Sequence, residues 1–221
     1  MLRVMVSKEL RETLPIAAFA VVVYLWLAFG QPASPPWPLQ WLPGWDRDEG
    51  FPFLSGEFLE RFGMASSVFA VALGLRQTVS ESARGTWLFL LHRPSDRRWL
   101  IAVKLLVGVG LFCVCAAMPI LIKGSLTATP GTFPFPFEWS MTLEAWGLGA
   151  SLTVVYLGAF LAGIRPGRWI GTRLLPLAGT AILVFSIQFL AHWALFWGAF
   201  AALWAVLVSL ILFVAQTRDY S

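Results

Sequence analysis

The sequence predicts an all-α polytopic membrane protein, a single bundle of transmembrane helices that fills the whole domain, 1–221. Two features of the composition predict it. Of the 221 residues, 58% are hydrophobic and only 13% are charged, whereas soluble domains carry about 25% charged residues. The apolar residues are also gathered into long runs with the polar residues standing between them. We therefore expect the lipid bilayer to be the solvent of this chain.

The apolar runs set the expected number of spans. Crossing about 30 Å of hydrocarbon takes roughly 20 apolar residues, with a range of about 17 to 25. Five runs reach that length, and a sixth, 62–75, is short. A short run still spans where the bilayer thins or where the helix extends into the residues before it. We expect six transmembrane helices, at 14–30, 62–75, 99–122, 143–164, 174–190 and 193–215.

A charged segment, 1–13, precedes the first apolar run and contains Lys8, Glu9 and Arg11. A secretory signal peptide would have a basic start without acidic residues and a small-residue cleavage site. Here Glu9 and Glu12 stand among the basic residues, and "QPASPPWP" after the run offers no such site. The first helix is therefore expected to be retained.

The distribution of basic residues predicts the orientation in the cell membrane. With six spans and a cytoplasmic N-terminus, all but three of the 16 Lys and Arg residues fall on the cytoplasmic side, in agreement with the positive-inside rule. The exceptions are Arg47, Arg61 and Lys123. Both termini are then cytoplasmic, and the net charge of +4 reports orientation and not nucleic-acid binding. Lys104, early in the third run, is expected to extend its amine back to the interface.

A polar interruption, 76–98, separates the second and third runs on the expected cytoplasmic side. Its apolar residues recur at helical spacing, which predicts an amphipathic surface helix. Pro94 then disfavours helical geometry at the residue before it and predicts a sharp corner. Gly85, in the middle of this helix, is explained either by close approach of another backbone or by a simple kink. The apolar positions are Val79, Ala83, Trp87, Leu90 and Leu91.

The same interruption carries the layout "E…RGT…LL…P…R…K", formed by Glu81, Arg84, Gly85, Thr86, Leu90, Leu91, Pro94, Arg97 and Lys104. This layout resembles the cytoplasmic segment after the second span in ABC-2 type transporter permeases. The N-terminal "SKELRE" is similar to the amphipathic elbow helix of those proteins, and the final "TRDY" is similar to their charged tail. Their six-span plan, with both ends inside, also matches the expectation above.

The resemblance implies the transmembrane subunit of an ATP-driven exporter that works with a separate ABC ATPase subunit and a second permease chain, identical or homologous. It implies no catalytic, cofactor or metal site in this chain. The Gly-rich phosphate loop "GxxxxGK[ST]" is absent from the sequence, so the partner would bind ATP. On this resemblance 76–98 is a cytoplasmic coupling helix and 1–13 an elbow helix. The ATPase-coupling residues would be Glu81, Arg84, Gly85, Thr86, Pro94 and Arg97, and the elbow residues Lys8, Glu9 and Arg11.

The predicted membrane interior is dry, which favours a hydrophobic or amphipathic substrate. We expect its few polar side chains to bond neighbouring helices; in the last three spans they are Thr153, Tyr156, Ser186 and Gln188. Many ABC-2 permeases have a polar break between the fifth and sixth spans, whereas "LAHWALFWG" predicts a tight turn. The Trp-rich loop after the first span is explained either as an interfacial cap or as a substrate-recognition loop.

Two other functions fit the residues. A membrane scaffold or sensor subunit that transports nothing would also have a dry interior. An intramembrane hydrolase would require a nucleophile and a base, for which Ser66 or Ser67 and His192 are the candidates. Cys113 and Cys115 are two apart, point in different directions on a helix and are expected to be inert core residues.

Overall fold

The computed structural model describes residues 2–29, 53, 56–83, 97–129, 136–165, 172–188 and 192–217. All regular secondary structure in these ranges is helical, so the predicted all-α class is confirmed. A short 3-10 helix, Trp139–Thr142, precedes the fourth α-helix. The α-helices are α1 (Leu2–Phe29), α2 (Glu57–Ala83), α3 (Arg97–Ala128), α4 (Leu143–Ile164), α5 (Leu175–Ile187) and α6 (Trp193–Thr217).

Five of the described helices are long and apolar enough to cross a membrane. The run 62–75 belongs to one of them, because α2 begins at Glu57 and has 27 residues, which is about 40 Å of helix. The polar residues before that run therefore extend the helix. The spanning helices lie within α1, α2, α3, α4 with its 3-10 turn, and α6.

The expected fifth span is shorter than predicted. Its helix, α5, has 13 residues, or about 20 Å of helix, which is less than the hydrocarbon thickness of about 30 Å. The residue after it, Gln188, donates from Nε2 to Ser151 Oγ of α4 at 2.8 Å. Ser151 lies eight residues beyond Leu143, the start of α4, so α5 stops about 12 Å short of that end. The predicted span 174–190 is therefore replaced by a shorter apolar helix.

Two predicted helix boundaries are absent. No break separates an elbow helix from the first span, because α1 is continuous from Leu2 to Phe29. Pro15 removes one hydrogen bond from the ladder, but the helix continues through it. Likewise α2 continues past residue 76 to Ala83, so the first part of the predicted surface helix is the end of a spanning helix. Residues 84–96 lie outside the described ranges.

The central element is α4, which packs against α2, α3, α5 and α6. It is buried at every residue from Ser151 to Ile164. Small residues allow the close packing. A Cβ atom on Gly74 of α2 would lie 2.7 Å from the backbone oxygen of Tyr156 and 2.9 Å from the backbone nitrogen of Phe160. The backbones of α2 and α4 therefore touch at this point.

Consecutive helices run antiparallel, so the helix ends gather in two groups. The two groups carry opposite charge. Arg98, at the start of α3, donates to Gln216 near the end of α6 at 2.8 Å, which places both ends of the described chain in one group. We call this group the basic end, since its described charged side chains include Arg3, Lys8, Arg11, Arg76, Arg98, Arg165 and Arg173. The opposite group, the acidic end, contains Glu57, Glu60, Glu138 and Glu144, together with Arg61 and Lys123.

Candidate functional site

A buried ion pair lies inside the basic end. Lys104 Nζ donates to Glu9 Oε1 at 2.7 Å, and the two residues are only 3% and 4% exposed. Each is the eighth residue of its helix, α3 and α1 respectively, so the pair lies about 10 Å along the helices from their starts. The expectation that Lys104 extends to the interface is wrong, because a carboxylate inside the bundle neutralises its charge.

The ion pair continues into a network of hydrogen bonds across four helices. Gln77 Nε2 of α2 donates to the backbone oxygen of Lys104 at 3.2 Å. The hydroxyl of Tyr156, on α4, donates to Gln77 Oε1 at 2.6 Å, and Tyr156 is fully buried. We call Glu9, Gln77, Lys104 and Tyr156 the ionic cluster. It joins α1, α2, α3 and α4 near the basic end.

A glycine makes room for the cluster. A Cβ atom on Gly108, one turn after Lys104, would lie 2.5 Å from Gln77 Oε1 and would overlap the hydroxyl of Tyr156. The amide and the phenol therefore occupy the space that any other side chain at position 108 would need. Each bond of the network joins two different helices, so the network ties α1, α2, α3 and α4 to one another.

The ionic cluster combines one ion pair with neutral hydrogen-bonding groups. The Lys104 ammonium and the Glu9 carboxylate neutralise each other, while the Gln77 amide and the Tyr156 phenol are uncharged and hydrogen-bonded. Among the described residues, no three His, Cys, Asp or Glu side chains come together as metal ligands. Removing one partner of a buried ion pair costs about 3–5 kcal/mol, so loss of either charge is expected to destabilise the packing of α1 against α3.

The predicted elbow residues divide between two surfaces. Lys8 and Arg11 are exposed, and Lys8 lies 4.0 Å from Glu12 one turn later. Glu9 is the exception, since it faces the bundle as part of the ionic cluster. An acidic residue expected on a surface helix is therefore an interior residue, because α1 packs against α3 along its first turns.

Of the predicted coupling residues, two lie on described helices. Glu81 belongs to the last turn of α2 and Arg97 begins α3, so both are at the basic end, close along the chain to the ionic cluster. The remaining predicted contacts, Arg84, Gly85, Thr86 and Pro94, lie outside the described residues. The described residues thus include the two ends of the predicted coupling segment, 76–98, within α2 and α3.

A cavity of about 370 Å³ opens at the acidic end. It lies beside the first turns of α4, between Leu59 of α2 and the start of α6, and Gln188, which follows α5, also lines it. There Trp193 and Phe196 approach α4 closely, since a Cβ atom on Gly147 would lie 3.7 Å from each ring. The cavity is lined by Leu59, Glu144, Gly147, Leu148, Gln188, Trp193 and Phe196.

The predicted polar side chains of the membrane interior have two different roles. Tyr156 and Gln188 bond neighbouring elements, through Gln77 and Ser151, as expected. Thr153 and Ser186 instead donate to carbonyl oxygens of their own helices, one turn earlier. Short hydroxyl side chains reach their own backbone more easily than a neighbouring helix, so for these two the prediction is wrong.

The serines considered for an intramembrane hydrolase, and the two cysteines, also lie on described helices. Ser66 is buried and shares a hydrogen bond of 2.8 Å with Tyr24, while Ser67 donates to the backbone oxygen of Gly63. The partners of these hydroxyls are thus a phenol and a carbonyl. The cysteines do point apart, as predicted, but only Cys115 is buried and Cys113 is exposed.

Sequence reasoning missed the ion pair, although a signal was present. A lysine inside an apolar run needs a partner of opposite charge, and Glu9 is the nearest acidic residue on a helix that starts on the same side. Comparison with protein-family models finds no match, and comparisons with curated proteins and with solved structures also find none. The candidate sites are therefore interpreted from their own geometry.

Proposed function

We propose that this chain is the transmembrane permease subunit of an ABC-2 type ATP-driven exporter, coupled at its basic end to a separate ATPase subunit and paired with a second permease chain. The observation that carries the proposal is the ionic cluster. It joins α1, α2 and α3 within about 10 Å of their basic ends, which is where the segment 76–98 connects α2 to α3.

The cluster matters because coupling needs a stiff connection. A force applied to a loop between two independently mobile helices would be absorbed by their relative motion. When the helices are held by a buried ion pair and its hydrogen bonds, the same force moves them as one body. Movement of 76–98 by a nucleotide-driven partner would then move α1, α2 and α3 together with α4, which Tyr156 ties to the same cluster.

The charge distribution supports a cytoplasmic position for the basic end. Seven exposed or half-buried described Arg and Lys side chains lie there, including Arg76 and Arg98 beside the coupling segment, and cytoplasmic ends of membrane proteins are rich in such residues. Both described chain ends then face the cytoplasm. A soluble ATPase would meet the segment 76–98 on that side.

The interior of the chain supports a hydrophobic or amphipathic substrate. The central helix α4 is buried from Ser151 to Ile164, so a path for a polar solute does not run beside that part of it. A path at the boundary with a second permease chain or with lipid suits a molecule that already partitions into the membrane. The apolar exposed faces of α5 and α6 are compatible with such a boundary.

ATPase stimulation in proteoliposomes tests the proposal. The chain is reconstituted with the ABC ATPase that copurifies with it, and Gly85→Trp is compared with Gly110→Trp. Gly110 is exposed on α3 with open space around it, so its variant controls for the added indole. We expect Gly85→Trp to reduce stimulation by about tenfold, the loss of roughly 1.4 kcal/mol of coupling, and Gly110→Trp to retain it.

Two results would reject the proposal. Full stimulation in Gly85→Trp would show that the segment does not transmit the movement of the ATPase. Repeated purification in mild detergent without any nucleotide-binding subunit would favour the scaffold or sensor function instead.

A further inference from the structure

The cavity at the acidic end has the size and lining of a small-molecule site. Its volume of about 370 Å³ falls within the range of roughly 300–1,000 Å³ that is typical of ligand pockets. Leu59, Leu148 and Phe196 supply an apolar wall, while Glu144 and Gln188 supply polar groups. Such a mixture of apolar surface and few polar groups recognises an amphipathic molecule.

Hydrogen bonding fixes which atom of Gln188 remains for a ligand. The hydroxyl of Ser151 donates to the backbone oxygen of Leu148 at 2.8 Å, so its single hydrogen is used. Ser151 Oγ must then accept from Gln188, which it does from Nε2 at 2.8 Å. With its nitrogen turned to Ser151, the amide keeps Oε1 as an acceptor. Within the described ranges no donor is bonded to Oε1.

Glu144 adds the charge. It is exposed, in the first turn of α4, and none of the described basic side chains forms an ion pair with it. A carboxylate in the first turn of a helix is favoured by the helix dipole alone; Glu60 also lies in a first turn, that of α2, but it is not among the residues that line this cavity. The cavity therefore presents a carboxylate and an amide oxygen, and both complement a hydrogen-bond donor with positive charge.

An aromatic ring completes the set. Trp193 is 49% exposed and lines the cavity. Its position is held by Trp197, whose ring lies at a centroid distance of 6.1 Å and an angle of 23°. A cation over an indole face gains attraction from the ring, more so where water is partly excluded. Carboxylate, amide oxygen and indole together are selective for an organic cation.

We propose that this cavity binds a molecule that joins an ammonium group to an apolar body. The ammonium group lies among Glu144, Gln188 and Trp193, and the apolar body lies against Leu148 and Phe196. Ethanolamine phospholipids and soluble organic amines both have this chemistry. The proposal concerns binding by this chain and does not rest on an ATPase partner.

Calorimetric titration of the purified chain in an uncharged maltoside detergent tests the recognition of charge. The probes are phenethylammonium and 2-phenylethanol, which share their apolar body and differ in the charged group. We expect saturable binding of phenethylammonium and at least about tenfold weaker binding of the alcohol, because hydrogen bonds to charged groups are the stronger kind. Equal affinity for the two probes, or no saturable binding of phenethylammonium, would overturn the proposal.

Matched variants locate the binding. Glu144→Gln should weaken phenethylammonium binding by about tenfold, whereas Glu60→Gln, on the equivalent exposed turn of α2, should leave it unchanged. Trp193→Leu should weaken it by about fivefold through loss of the cation–π contact. Equal losses in the two glutamate variants would show a diffuse surface effect and contradict the site.

Nanodiscs distinguish the two sources of the ammonium group. Binding of phenethylammonium is measured in phosphatidylglycerol discs with and without phosphatidylethanolamine. If the lipid is the natural occupant, its presence lowers the affinity of wild type about threefold and leaves Glu144→Gln unaffected. If the lipid has no effect, the occupant is a soluble amine. Absence of saturable binding in both kinds of disc would reject the site itself.

Discussion

Lys104 and Glu9 form an ion pair of 2.7 Å between α3 and α1, with both side chains almost completely removed from the surroundings of the bundle. The two residues are far apart in sequence and meet only because the starts of the two helices lie side by side. A buried pair of this kind contributes more to the choice of one arrangement than to net stability, because desolvation offsets much of the attraction.

The ion pair predicts that removing one of its charges destabilises the protein more than removing both. Lys104→Met leaves the Glu9 carboxylate buried without its cation, and we expect it to lower the free energy of unfolding by about 3–5 kcal/mol. The double variant Glu9→Leu/Lys104→Met removes both charges and should recover most of that loss. The measurement is unfolding in mixed micelles with rising SDS fraction, followed by Trp fluorescence.

Lys8→Met is the matched control, since Lys8 is exposed and its pair with Glu12 should contribute less than about 1 kcal/mol. If the double variant is no more stable than Lys104→Met, the interpretation that Glu9 and Lys104 neutralise each other is wrong.

The contact between α2 and α4 predicts that two glycines respond differently to the same change. Gly74→Ala inserts a methyl group against the backbone at Tyr156 and Phe160, and we expect a loss of about 2 kcal/mol from overpacking. Gly110→Ala enters open space and should be neutral or raise stability by up to about 1 kcal/mol, because alanine favours the helix. The same unfolding titration compares them, and equal effects would argue against close packing at Gly74.

On the proposed location in the cell membrane, the charge of the two bundle ends predicts which face of that membrane each end meets. Single cysteines are placed at Ser7, exposed at the basic end, and at Ser140, exposed at the acidic end, in a Cys113→Ser/Cys115→Ala background. A membrane-impermeant maleimide added to intact cells should label Ser140→Cys and not Ser7→Cys. Permeabilised cells should label both, which controls for reactivity. Labelling of Ser7→Cys alone in intact cells would mean the opposite orientation.

Helix limits were predictable where hydrophobicity alone decides them. The span 143–164 coincides with α4, Leu143–Ile164, because polar or loop-forming residues flank a run that is mostly apolar. The limits of α1 and α2 were not, since their charged and polar ends remain helical when another helix packs against them. Glu9 in α1 and Gln77 in α2 show the reason, as each is polar by type and buried by position.

The cavity was beyond prediction for a related reason. The sequence contains Glu144, Gln188 and Trp193 in three separate segments, and the apolar run 174–190 indicates a full span. Only the packing of α5 against α4 shows that the helix ends early and that Gln188 bonds Ser151. The hydrophobicity of a segment does not show where along the bundle its helix ends. It therefore cannot locate a side chain that a hydrogen bond holds at a helix end.

The sequence by itself determined the membrane environment, the helical class and the division of charge along the chain, because these depend on the summed transfer free energy of long segments. The tertiary structure decided which charges meet, since the pairing of Glu9 with Lys104 and the opening beside Glu144 depend on contacts between segments far apart in the chain. Such contacts form only in the packed bundle, because the surroundings of a side chain are a property of the bundle and not of any one segment.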